Sequence, residues 1–332
     1  MTTPDLSLVI PSYNRRPLLR RCLEAFVPQS QDPRTFETIV VDDGSSDGTT
    51  EMVEGLETPF ELRLLRQRQG GWAAAQNAGI EAATGRICLL IDDDIVASPE
   101  LVTAHIAGHA EHEGPTIGIG PLTQKPPEAR DWYAHTFAEE WNKHFAELAG
   151  REPGWMDCYG GNLSAPRAAL VESGGFATDL AAAADVELGF RLCEAGCVPR
   201  FFAAAGAVHD DQKRGERLLR DATARGVAYL QMIDRHPRAE ADLLGSFRAD
   251  GAREVAIRRL LIALRVPPGL LAALGGAVPG AGRRTFLHHA IQRYALWRSV
   301  RHEVNGERWR QLTRGDPTRG ELEPVASESQ VP

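Results

Sequence analysis

The sequence lacks what a disulfide scaffold or a zinc module would need. Its five cysteines (Cys22, Cys88, Cys158, Cys193, Cys197) are odd in number and scattered, with no pair of CxxC units. Neither a disulfide framework nor a zinc site is expected. Cys193 and Cys197, four apart in an expected helix, read as two small buried hydrophobes. No uninterrupted apolar run reaches the length of a bilayer span. The opening residues have no basic stretch followed by an apolar one, so a signal peptide is not expected and a cytoplasmic setting is. Gly70-Gly71 is not a GxGxxG turn, and no glycine-rich loop ends in Gly-Lys-Ser/Thr. Those absences argue against dinucleotide-type and phosphate-loop nucleotide binding.

What is present is ordinary in bulk and uneven in detail. The 332 residues, 43% hydrophobic and 25% charged, suit one large domain or one domain with an appendage. The net charge is −8. Between Arg253 and Arg314, however, twelve arginines are opposed only by Glu254, Glu303 and Glu307. An acidic body therefore carries a basic C-terminal segment.

The first half alternates strand and helix patterns. Apolar runs at residues 6–11, 38–41, 62–65 and 87–91 are separated by helical stretches at 15–26, 46–56 and 72–83. Ser46 and Asp47 are capping candidates for the second helix. Ser98-Pro99 opens a further helix with proline in its first turn. Such alternation predicts an α/β fold, a mostly parallel sheet with helices on both faces and ligands at the carboxyl ends of its strands. Those ends carry Ser12-Tyr13-Asn14, Asp42-Asp43 and Asp92-Asp93-Asp94. Residues 121–157 break the pattern with an aromatic excursion (Trp132, Tyr133, Phe137, Trp141, Phe145). A helix is expected at 185–195, then a strand-like run at 198–208 ending in His209-Asp210-Asp211. The expected organisation is a catalytic body over 1–215, a helical basic extension over 216–314 and a disordered tail over 315–332.

Three consecutive carboxylates at a strand end repel one another. A hard divalent cation that also binds diphosphate oxygens would resolve that repulsion. The bland alternative for Asp92-Asp93-Asp94 is a solvated acidic turn. Val40-Val-Asp-Asp-Gly-Ser45 taken alone is an ordinary Asx turn with a helix cap.

The motifs in order are more specific. Val9-Ile-Pro-Ser-Tyr-Asn14, Val40-Val-Asp-Asp-Gly-Ser-Ser-Asp-Gly-Thr49, Asn77-Ala-Gly79 with Gly85-Arg86, and Ile91-Asp-Asp-Asp94 follow one another. Gly161-Asn162, Gly174-Gly-Phe176, Asp185-Val-Glu-Leu-Gly-Phe-Arg-Leu192 and His209 complete the series. Over residues 5–212 the chain resembles the family-2 inverting glycosyltransferases of the GT-A fold. The resemblance implies a metal-dependent transfer of one sugar from a nucleotide-diphosphate sugar, of UDP or dTDP type, to an acceptor hydroxyl. The acceptor would be a glycan, a lipid-linked sugar or a small molecule. It implies that Pro11, Tyr13 and Asn14 belong to the nucleoside side, with Asp43 accepting a base N–H. Gly71 and Asn77 would lie beside the diphosphate. Asp92 and Asp93 would hold ribose or sugar hydroxyls, and Gly161-Asn162 would face the donor sugar. Asp94 and His209 would hold Mn2+ or Mg2+.

Asp185 is the candidate general base. Its place at a helix start is expected to lower its pKa and keep it ionised. The acid that such enzymes usually carry just before this aspartate is replaced by Ala181-Ala-Ala-Ala184, and Glu187 is expected to face away. No Gln-x-x-Arg-Trp element follows His209, which favours single transfer over polymerisation.

Rival readings are a sugar nucleotidyltransferase, which would need a glycine-rich triphosphate loop that SYNRR does not supply, and a catalytically silent sugar-nucleotide-binding module. Residues 260–282, apolar but broken by Arg265 and Pro267-Pro268, fit either a helical hairpin packed on the body or a peripheral membrane surface. Overall acidity and the absence of a binding motif argue against nucleic acid.

Overall fold

A computed structural model describes residues 3–29, 36–127, 130–180, 182–211, 213–248 and 251–313. Ten strands form two sheets: β1 (Leu6–Ser12), β2 (Phe36–Asp42), β3 (Glu61–Arg66), β4 (Ile87–Ile91), β5 (Ile95–Ala97), β6 (Thr116–Ile119), β7 (Leu122–Gln124), β8 (Asn162–Pro166), β9 (Val198–Phe201) and β10 (Ala207–His209). The main sheet runs β3-β2-β1-β4-β8-β6-β9, and a small one runs β5-β10-β7. β1 to β4 are parallel where they pair, as the alternation predicts; β8 is antiparallel to both β4 and β6. β1, β2 and β4 are buried throughout, which is why they read as continuous apolar runs.

Three expectations need correction. The helix expected over 46–56 forms only at Thr49–Glu54, because Gly48 turns left-handed at φ +84° and Asp47 accepts from the Thr49 N–H in the turn before it. The run 198–208 is two strands, β9 and β10, in different sheets. It breaks after Phe201, where the Phe202 ring packs edge-on against His105 and His109. The helix opened by Ser98-Pro99 begins at Leu101, after the short β5.

The aromatic excursion is mostly one helix, Trp132–Leu148. Beyond it the helices Gly215–Arg235, Glu240–Arg248, Ala252–Ala263, Pro268–Gly275, Ala281–Glu303 and Gly306–Thr313 follow. Helix 281–303 packs on helices 215–235 and 132–148. The C-terminal helices share a second core, with Trp297, Leu296 and Val300 against Tyr229, Met232 and Ile233. No helix among the described residues is long and apolar enough to cross a membrane. The tail expected to be disordered, together with Arg314 and Ala181, lies outside the described residues.

Helix Trp72–Ala82 lies across β1 and β2 at a distance that only glycine allows. A Cβ at Gly79 would collide with the Val9 side chain on β1. Gly79→Ala is expected to destabilise the protein by about 1–3 kcal/mol through overpacking, read as a lower urea midpoint at unchanged slope.

Candidate active site

Parallel pairing of β1 with both β2 and β4 brings their carboxyl ends to one edge. Asp92, Asp93 and Asp94 follow β4 there, and the three carboxylates point different ways. Asp93 is buried and accepts from the Ser12 hydroxyl at 2.7 Å, with Arg15 at 3.3 Å. Asp94 is buried too; one oxygen takes Arg15 at 2.6 Å, the other faces His209 Nε2 at 3.1 Å. Asp92 accepts from the Trp72 indole N–H at 2.9 Å, and its second oxygen lies 3.7 Å from His209 Nε2. Burial pushes the Asp93 carboxyl up to about 7, against the pull of Arg15 and Ser12. Burial acts the same way on Asp94, but His209 and Arg15 hold it well below the usual carboxylate range.

Asp92, Asp94 and His209 bring one donor atom each within 4.8 Å of one another. Asp94 Oδ1 and His209 Nε2 are buried, face each other at 3.1 Å and have no further hydrogen-bond partner among the described residues, an arrangement that a bound cation would satisfy. Two hard carboxylates and one imidazole suit Mn2+ or Mg2+. The Gln124 side-chain amide lies 3.0 Å from His209 Nδ1 and fixes the ring so that Nε2 is the atom turned to the acids. Asp92 thus joins the cluster that sequence reading gave to Asp94 and His209 alone.

A cleft of about 400 Å3 opens beside this cluster, lined by Pro11, Tyr13, Asp43, Gly71 and Trp72 among others. Asp43 lines it, yet its carboxylate already accepts from Gln67 Nε2 at 2.7 Å and from the Gly70 and Gly71 N–H groups at 2.8 Å. It therefore clamps the turn before helix 72–82 and keeps little acceptor capacity for a base. Gly71, at φ +89°, caps that helix with open space around its Cα.

Three asparagines expected at the ligand are instead spent on the fold. Asn14, at φ +52°, accepts from the Ser46 N–H and joins the end of β1 to the turn after β2. Asn77 bonds both the N–H and C=O of Phe176, holding helix 72–82 to the loop at 174–176. Asn162 is buried and bonds His105, Pro121 and Ala205. Its neighbour Gly161, at φ +98°, does reach the site: a Cβ there would lie 2.8 Å from an Asp92 oxygen.

Asp185 lies in a second cavity of about 170 Å3, which shares Asp92, His209 and Lys213 with the cleft. It is the second residue of helix Ala184–Glu194, accepting from the Gly160 N–H at 2.7 Å. Burial raises its pKa, overriding those backbone donors, so the expected dipole-lowered acid is corrected to a stronger base. Glu187 faces away, paired with Arg191 and His236. Phe137, Trp141 and Tyr159 form an aromatic wall, and Asp221, Arg225 and Gln292 come from the C-terminal helices. Sequence reading missed those three, together with Arg15, Trp72, Gln124 and Lys213. Only Arg15, one residue beyond the SYN motif, carried a local signal.

Asn77→Ala would strand two backbone groups. It is expected to cost about 1–3 kcal/mol of stability while leaving nucleotide affinity unchanged. Urea unfolding and nucleotide titration of the same variant check both halves.

Comparison with known proteins gives a family match and a fold match. The family model described as "Glycosyl transferase family 2" matches residues 7–173. A validoxylamine A glucosyltransferase from Streptomyces hygroscopicus subsp. limoneus is 29% identical over 57% of this chain and 48% of its own. An undecaprenyl-phosphate 4-deoxy-4-formamido-L-arabinose transferase from Proteus mirabilis is 28% identical over 51% and 50%. The chain spans about half the length of these relatives. Among solved structures, the mannosyltransferase PcManGT from Pyrobaculum calidifontis, in complex with GDP-Man and Mn2+, superposes with TM-score 0.60 at 22% identity, covering 92% of this chain and 89% of that one. S. aureus TarS 1–349 in complex with UDP-GlcNAc gives 0.55 at 15% identity, covering 90% of each.

Proposed function

The chain belongs to glycosyl transferase family 2, with the GT-A fold, and from that premise we propose that it transfers one sugar from a nucleotide-diphosphate donor to an acceptor hydroxyl with inversion. The observation that carries this reading is that the nucleotide-side cleft and the Asp185 cavity meet at Asp92, His209 and Lys213. A donor bridging them would have its anomeric carbon between the acid cluster and a carboxylate.

In this reading the nucleoside lies against Pro11 and Tyr13, a UDP- or dTDP-type base resting beside the turn that Asp43 clamps. The diphosphate faces Gly71 and the N-terminus of helix 72–82, where backbone N–H groups favour an anion. Asp94, His209 and Asp92 would hold Mn2+ or Mg2+, which when bound supplies positive charge to the diphosphate oxygens. Lys213, without a carboxylate partner among the described residues, adds a second cation on the leaving-group side. Asp185 takes the acceptor O–H proton; the acceptor oxygen bonds to the anomeric carbon as the bond to the diphosphate oxygen breaks, its electron pair leaving with the nucleotide. Burial suits Asp185 to this role, because a raised pKa makes a better proton acceptor. The acceptor, whether glycan, lipid-linked sugar or small molecule, lies against Trp141 and Tyr159. We place the enzyme in the cytoplasm, its C-terminal helices toward a membrane.

Excess chelator is expected to abolish transfer, and Asp94→Ala to lower the rate by orders of magnitude, both followed as nucleoside diphosphate release. Full turnover in chelator would overturn the metal's role. Asp185→Asn is expected to keep donor affinity and lose about 100- to 10,000-fold in kcat. Because the base must be ionised, the wild-type rate should fall as pH drops through the raised Asp185 pKa. That acid limb should lie above the usual carboxylate range and be missing from the residual rate of the variant. Proton NMR of the first-formed product gives the anomeric outcome, and retention would reject the single displacement.

A further inference from the structure

Among the described residues eleven large hydrophobic side chains stand exposed, and six of them lie between Ile257 and Phe286. Ile257, Leu274 and Phe286 line one groove of about 560 Å3 between helices 252–263, 268–275 and 281–303. Leu264, 65% exposed, stands at the corner joining the first two helices, and Leu260 and Leu270 flank it at 58% and 51%. The corner is held in shape rather than loose. The Tyr294 hydroxyl donates toward the carbonyls of Leu261 and Val266, and Arg265 takes a left-handed φ of +54° between them. Behind the groove, Ile291, Tyr294 and Trp297 are buried. The apolar face is therefore a fixed surface and not an unpacked core.

Its charge is predominantly positive, with Glu254 the one acid in the groove's lining. Residues 251–290 carry six arginines and a single glutamate, on a chain whose net charge is −8. Arg253 and Arg258 line the groove itself, and Arg259, Arg265 and Arg283 are exposed around it. An apolar stripe bordered by arginines is the pattern that lets a helix lie in the plane of a bilayer, with hydrocarbon beneath and phosphates beside it. No helix among the described residues is long and apolar enough to cross one.

We propose that this face docks on an anionic phospholipid bilayer, Leu264, Leu274 and Phe286 entering the acyl region and the surrounding arginines meeting headgroup phosphates. The inference rests on exposure and charge and is independent of the transferase reading. Helix 281–303 ties the two together: Gln292 lines the Asp185 cavity, while Ile291 and Tyr294 line the groove. A docked molecule holds its acceptor cavity one helix away from the lipid surface, within reach of an acceptor carried there.

The test is flotation of the full chain on phosphatidylcholine vesicles with and without phosphatidylglycerol, at low and high salt. The double variants Leu264→Glu/Phe286→Glu and Arg253→Glu/Arg259→Glu are floated beside it. Wild type should float with the anionic vesicles at low salt, stay behind with neutral ones and be released by salt, since exposed charges are screened. Either double variant should lose about tenfold or more of the bound fraction. No flotation on anionic vesicles, equal flotation on neutral ones, or variants that float like wild type would each overturn the proposal. So would a dimer, seen by light scattering, that Leu264→Glu/Phe286→Glu dissolves, since a second copy would then cover the face. None of the four substituted residues touches the cleft, so donor turnover in detergent-free solution should match wild type in every variant. Absence of turnover in wild type alongside normal flotation would count against the transferase reading alone.

Discussion

Three adjacent carboxylates at the dry end of β4 set the terms for much of this molecule. Bringing ionised groups out of water costs several kcal/mol each unless partners replace the lost hydration. The partners come from far apart in the chain: Ser12 at the end of β1 with Arg15 just beyond it, Trp72 at a helix start, His209 at the end of β10. They sit at the ends of elements, so the pairing of β1 with β4 and of β10 with β5 is what makes the cluster tolerable. Arg15 alone contacts Asp93, Asp94 and Asp211. It offsets charge on one side of Asp94 and leaves the opposite oxygen turned to His209.

The parallel half of the fold was legible because buried strands write themselves as unbroken apolar runs separated by stretches of helix length. The small sheet was not, since β5, β7 and β10 are three residues each and have no period to detect. The acids and His209 were legible as one candidate cluster because charge at a strand end is costly and needs a reason. Asn14, Asn77 and Asn162 misled for the opposite cause. A carboxamide donates and accepts equally well to a ligand or to backbone, and only the packing of Phe176, Ser46 and Pro121 reveals which. Asp185 does line the cavity, but the sign of its pKa shift was not legible. The dipole argument counts only its own helix, whereas the walls that bury it arrive from elsewhere.

Those walls change the meaning of the C-terminal region. Helix 215–235 and Gln292 line the cavity that holds Asp185, so the segment that reads as an appendage in sequence contributes Asp221 and Arg225 to it. A scaffold whose cleft comes from its first half and whose adjoining cavity comes partly from its last can vary one while keeping the other.

The Asp131 carboxylate caps helix 132–148 through Tyr133 and Ala134 and also accepts from the N–H of Gly215, the first residue of helix 215–235. Two helices on opposite sides of a pocket thereby start from a common origin. Phe137 stands six residues beyond Asp131 and Asp221 six beyond Gly215; Trp141 and Arg225 each stand ten beyond. At about 1.5 Å per residue, Phe137 and Asp221 each lie about 9 Å along their helices from the shared carboxylate, and Trp141 and Arg225 about 15 Å. One carboxylate acts as the zero mark of two rulers, so an insertion in the chain between the helices would lengthen the route without shifting either scale.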